Sequence, residues 1–196
     1  MTRLPRPGGR AVALLALLAM PLGACAADDP KQADGPPAYC ATSDGAEDLE
    51  FWRLVEQSCR VATDGDVQQA RALRDVLEDL DTEQVAGFHR TFVRLNRALD
   101  TERVAAVADE ACLPGAGLGD DLSTDFRSWV IAHGQTAYER VLADPEVLGD
   151  FPDLADGCGM GEPFGYAAFR VYADKAGREA ALSRLPSLEP TAAPGA

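Results

Sequence analysis

The residues best placed to do chemistry cluster around a glycine-rich stretch at 113–119. Cys112 precedes it, and Asp120, Asp121, Ser123, Asp125, Arg127 and Trp129 follow. Carboxylates just ahead of an apolar stripe have two uses. They can bind a cation or polar ligand, or they can complement the positive end of a helix that starts there. A calcium loop of the EF-hand type fails on the count. With Asp121 first, Ser123 and Asp125 take positions three and five, but position twelve is Ala132 instead of Glu and no central glycine is present. The two histidines, His89 and His133, lie far apart in the sequence. Cys112 with either one would make a nucleophile only if its thiol were exposed and its pKa lowered. Asp120, Asp121, Arg127 and His89 are the candidate ligand-binding residues, and the elements that must bring them together are the third and fifth helices. No catalytic residue, cofactor or metal is assigned. No GxSxG, P-loop, HExxH or GxGxxG motif occurs.

Arg90, Arg94 and Arg97 recur on one side of the third helix. Pairing with the chain's own carboxylates is expected of them, with an anion clamp as the alternative.

The first twenty-five residues set the compartment. Arg3, Arg6 and Arg10 precede an apolar run at 11–20, Pro21 breaks it, and Leu22-Gly23-Ala24-Cys25 follows. A basic start, a short apolar middle and small residues at the cut are the layout of an export signal. The run is too short to span a bilayer. Its last four residues resemble the lipobox of bacterial lipoproteins. That resemblance implies a signal peptide at 1–24, cleavage before Cys25, and a diacylglyceryl group (palmitate-like chains) on the Cys25 sulfur. The mature protein is then lipid-anchored on the outer face of the cell membrane, because two or three acyl chains hold where one does not.

Cys40, Cys59, Cys112 and Cys158 remain. An even number in an oxidising compartment points to disulfides, and none has CxxC spacing. The expected pairing is Cys59–Cys112 with Cys40–Cys158, and buried free thiols are the alternative.

Without residues 1–24 the chain carries 15 basic and 32 acidic side chains, a net charge of −17 over 172 residues. So acidic a surface repels nucleic acid and anionic headgroups, which excludes both as electrostatic partners. The length suits one domain with its own core.

Residues 25–45, rich in Ala, Asp, Pro and Gly, read as a flexible tether, and 181–196 as a Pro/Ala-rich tail, leaving 46–180 for the domain. Within it the apolar period is helical throughout. Phe51, Trp52, Val55 and Cys59 stripe a first helix at 47–62. Asp66 with Gln69, and Asp81 with Gln84, resemble capping boxes opening the second and third helices. Val67, Ala70, Leu73, Leu77 and Leu80 form the second helix's inward face. The third carries Val85, Phe88, Phe92, Leu95 and Leu99. A short helix at 101–111 follows. Ser123 is the expected N-cap of the fifth helix, Gly134 its interruption, and Tyr138 with Leu142 its continuation. Pro163 opens a last helix that stops at Gly177. The expected fold is all-α, a compact bundle of six or seven helices.

Phe51-Trp52-Arg53-Leu54-Val55-Glu56, then Phe88, Phe92 and Leu95, then Cys112 and Gly119-Asp120-Asp121, then Phe126-Arg127-Ser128-Trp129-Val130-Ile131 and Gly134 follow a known order. In these motifs the chain resembles the bacterial family called domain of unknown function 4240, over about 49–177. The resemblance implies an all-α fold and brings no activity with it. This chain departs from the pattern by extra residues at 113–118 and by its leader.

Two functions follow. One is a non-catalytic binding or interaction module, held at the membrane through Cys25, with an unidentified protein or small-molecule partner. The other is an enzyme with its site between helices three and five.

Overall fold

Asp81 begins the best-defined helix. Its carboxylate accepts from the Gln84 amide at 2.9 Å, and the Gln84 side chain accepts in return from the Asp81 amide at 2.9 Å. The expected capping box is therefore present. It starts α3 (Thr82–Ala98), whose expected stripe of Val85, Phe88, Phe92 and Leu95 is buried, with Leu99 buried at its C-cap. The computed structural model describes residues 40–61, 66–112, 118–151, 154 and 161–188. The signal peptide, Cys25, the tether up to 39, the loop 113–117, Cys158 and the tail from 189 lie outside the described residues.

Around α3 stand α1 (Leu49–Val61), α2 (Asp66–Glu78), α4 (Glu102–Cys112), α5 (Asp120–Ala132), α6 (Gln135–Ala143), a 3-10 helix (Pro145–Asp150), α7 (Glu162–Gly165), α8 (Ala167–Ala176) and α9 (Arg178–Arg184). No strand occurs among the described residues. The fold is all-α, as the apolar period required. The nine α-helices of the described residues exceed the expected six or seven for two reasons. The segment after Pro163 divides at Tyr166 into α7 and α8, and α9 continues past Gly177.

Helix α5 is the central element. From Phe126 to Ala132 every residue is buried, so it is surrounded on all sides. It packs against α3, α6 and α7, while α1 lies on α2 and α3 lies on α8. Glycine is required at Gly161 by a close approach and at Gly134 by a turn. A Cβ at Gly161 would sit 1.8 Å from the Asp125 carbonyl oxygen and 2.7 Å from the Trp129 nitrogen. Gly134 turns the chain between α5 and α6 at φ 90°, a left-handed value that costs other residues strain. At the same end the Gln69 side chain donates to the Ala132 carbonyl at 2.6 Å, occupying an acceptor the helix leaves open.

Several expectations are corrected. Helix α5 begins at Asp120 with Gly119 as its N-cap, so Ser123 lies inside the first turns. Val67 and Leu142 are exposed, not inward. Val141, fully buried, takes the place expected of Leu142, because Gly134 resets the helical phase. Packing among the described residues continues past both ends of 46–180. Cys40 is buried, the Ser43 amide donates to Gln135 at 2.8 Å, and Leu185 and Leu188 are buried at the other end.

The disulfide pairing is also corrected. Cys40 bonds Cys59, with Cα atoms 6.1 Å apart. Residues ahead of α1 fold back along it, fastened by the Thr42 hydroxyl donating to the Trp52 carbonyl at 3.2 Å. That return brings Cys40 to Cys59 and leaves neither for the expected partners. Cys112 is also disulfide-bonded, and its partner lies outside the described residues.

Candidate functional site

Arg127 stands in the middle of α5 with its guanidinium buried. Its Nε donates to Asn96 Oδ1 at 2.9 Å, one Nη to Asp100 at 2.8 Å, and the other to the Thr124 hydroxyl at 3.1 Å. Asn96 is fully buried on α3. Its amide nitrogen donates to the Thr124 carbonyl at 3.2 Å and to the Ser128 hydroxyl at 3.1 Å, and that hydroxyl donates on to Thr124 at 2.8 Å. The result is a polar seam between α3 and α5 in which each member has partners. Burial pulls the Arg127 pKa down, opposed by the charges of Asp100 and Asp120. The void beside it, about 10 Å³, is at most the size of one water.

The four candidate residues do not converge. His89 lies two helical turns from Asn96, about 10 Å along the axis. Its Nε2 is 3.0 Å from the Pro186 carbonyl oxygen, and Phe169 of α8 lies beside its ring. Asp120 and Asp121 are exposed on the first turn of α5, where their charge complements the helix dipole. Of the three, only Asp120 acts on Arg127, and it acts through its field. His133 is buried elsewhere, its Nδ1 2.9 Å from the Trp129 carbonyl oxygen. Among the described residues no three His, Cys, Asp or Glu side chains stand close enough to hold a metal ion.

The arginines of α3 are paired within the chain. Arg90 meets Glu83 at 2.6 Å, Arg94 meets Asp48, and Arg97 donates to the Ser187 carbonyl at 3.1 Å.

Among the described residues, three recesses on the surface stand out. One of about 250 Å³ is lined by Asp121, Thr124, Asp125, Glu162 and Tyr166. Another, about 400 Å³, lies between α4 and the 3-10 helix. The third, about 370 Å³, lies between α1 and α3 over Phe51, Leu54, Leu80 and Phe88, whose two phenyl rings stack at 4.5 Å. Asp48 stands on its rim at φ 59°, an unusual value for a residue with a Cβ.

Arg127, expected as a ligand-binding residue, instead holds a structural seam with Asn96, Thr124, Ser128 and Asp100, none of which was expected at a site. The signal was available in Asn96, an amide within the apolar stripe of Phe92, Leu95 and Leu99.

Helices closed around a buried arginine–asparagine seam, with a disulfide fastening the N-terminal segment, define an all-α domain of compact build. The chain belongs to the family described as protein of unknown function (DUF4240), whose sequence pattern matches residues 47–174. No curated protein matches the chain, and no solved structure does.

Proposed function

We propose that this chain is an exported lipoprotein, anchored through Cys25, whose helical domain acts by binding a partner at the outer face of the cell membrane. The observation that carries the reading is the pairing of cysteines. The Cys40–Cys59 bridge, with Cys112 also bridged, suits an oxidising compartment, to which the leader directs the chain. Among the described residues no helix is long and apolar enough to cross a membrane, so attachment in this reading is the task of the lipid. The binding role is favoured over catalysis by the dispersal of His89, Asp120, Asp121 and Arg127, and by the satisfied partners of Arg127.

Two experiments test it. Cys25→Ser is expected to move the protein from the membrane fraction to the soluble fraction or to leave it unprocessed; a Cys25→Ser protein that remains in membranes at its usual mature size overturns the anchor. A thermal-shift screen of residues 26–196 against metals, nucleotides, sugars, amino acids and peptidoglycan fragments tests for a small-molecule partner. A ligand at a hundred times its Kd adds about 2.7 kcal/mol of stability. A saturable shift identifies a small molecule, and its absence directs the search to proteins by crosslinking in intact cells. Turnover of any compound found this way overturns the non-catalytic reading.

A further inference from the structure

Helix α3 carries the end of the described chain along one side. His89, 2% exposed, faces the Pro186 carbonyl oxygen at 3.0 Å. Two turns further on, Arg97 donates to the Ser187 carbonyl at 3.1 Å. Leu185 and Leu188 are buried on either side of these bonds. Residues 185–188 are outside any helix, so they form a strap held by two side chains of α3 and by their own leucines.

A carbonyl oxygen only accepts, so His89 Nε2 carries the ring hydrogen. Nδ1 is then the bare nitrogen, and it is buried without a hydrogen-bond partner. A second proton has to enter there, where nothing accepts it. The charges nearby do not help. Arg90, next to it on α3, repels a cationic ring. On α8 the charged side chains, Arg170, Asp174 and Lys175, are exposed, as are Arg178, Glu179 and Arg184 on α9. From α8 the ring meets Phe169. Glu189, the next carboxylate along the chain, lies outside the described residues.

We propose that His89 is an acid-sensitive latch: its protonation releases the strap 185–188 from α3 and bares the apolar surface beneath Leu185 and Leu188, while the helical core stays folded. This does not depend on the lipid anchor. Burial holds the imidazole below its ordinary value of 6.5, with Arg90 adding to the effect and the Pro186 bond opposing it. The released ring regains the ordinary value. Docking is therefore fully favoured above pH 6.5, weakens as pH falls from there to the lowered value, and changes no further below it. Inside that window the opening constant of the strap rises about tenfold per pH unit.

Hydrogen exchange on the disulfide-bonded protein tests this, with protection corrected for intrinsic exchange, between about pH 7.5 and about pH 5. The expected result is a loss of protection at the amides of Leu185 and Leu188, the buried amides of the strap, that grows about tenfold per unit through the window, with α3 and α5 unchanged. His89→Gln keeps a donor for the Pro186 carbonyl and cannot titrate, so its strap is expected to show equal protection at both ends. Three results overturn the latch: a wild-type strap indifferent to pH, an equal loss in His89→Gln, or a loss spread evenly over α3 and α5. If His89→Gln does not fold, the wild-type ring is titrated by NMR; a docked His89 that titrates at or above 6.5 overturns the proposal as well.

Discussion

Replacing Asn96 by Ala tests whether the seam between α3 and α5 is structural. The side chain is fully buried and takes part in three hydrogen bonds, to Thr124, Ser128 and Arg127. The two neutral bonds contribute about 1 kcal/mol each, and the bond from the Arg127 guanidinium about 2 kcal/mol. Truncation also leaves a buried charged N–H without its acceptor. The expected loss is about 3–5 kcal/mol, a large fraction of the stability of a domain this size. In a thermal melt it appears as a drop of roughly 6–20 °C. Urea unfolding gives the same loss at an unchanged slope if the denatured state is unaffected. Arg127→Met removes the charge together with its need for partners, so Asn96→Ala in that background is expected to cost about 1–3 kcal/mol less. A loss below about 1 kcal/mol, with no coupling to Arg127, would refute the reasoning, because water or a ligand would then have to satisfy the guanidinium in a site that opens.

Other changes have separate expectations. Gly161→Ala drives a Cβ into the Asp125 carbonyl of α5, and is expected to destabilise by about 3 kcal/mol or more in chemical denaturation. Asp81→Ala removes the α3 cap, with an expected cost of about 1 kcal/mol in the same assay. Cys59→Ser opens the bridge to Cys40 across 19 residues, and an urea midpoint is expected to report a loss of about 3 kcal/mol. Non-reducing peptide mapping is expected to recover a Cys40–Cys59 peptide and, with Cys25 lipidated, a Cys112–Cys158 peptide.

The class of fold was legible because the strongest helix states every rule at once. In α3 a capping box and an apolar stripe agree, and the structure follows both. Reading failed where two local signals competed. Ser123 is a better cap by type than Gly119, yet Asp120 and Asp121 in the first turn complement the dipole and allow the helix to begin earlier. Leu142 continues the phase of α5, but the turn at Gly134 gives α6 its own phase and buries Val141 instead. The disulfide pairing rested on a return of the chain along α1, held by Thr42, that cysteine spacing does not encode. Of the candidate residues, Arg127 is the one that lies in the buried seam, where its partners belong to the chain itself. Sequence placed His89 on the same helix as Asn96, but it could not tell that the C-terminal strap occupies the His89 end and that Asn96 answers the arginine.

The most direct test of the proposed lipid anchor and of the disulfides is the intact mass of the full chain recovered from the membranes of the cells that express it, alkylated with and without prior reduction. The account predicts a chain that begins at Cys25 with the added mass of its acyl groups, no alkylated thiol before reduction, and four after it. A chain that still begins at Met1, or one that carries alkyl groups before reduction, would contradict it.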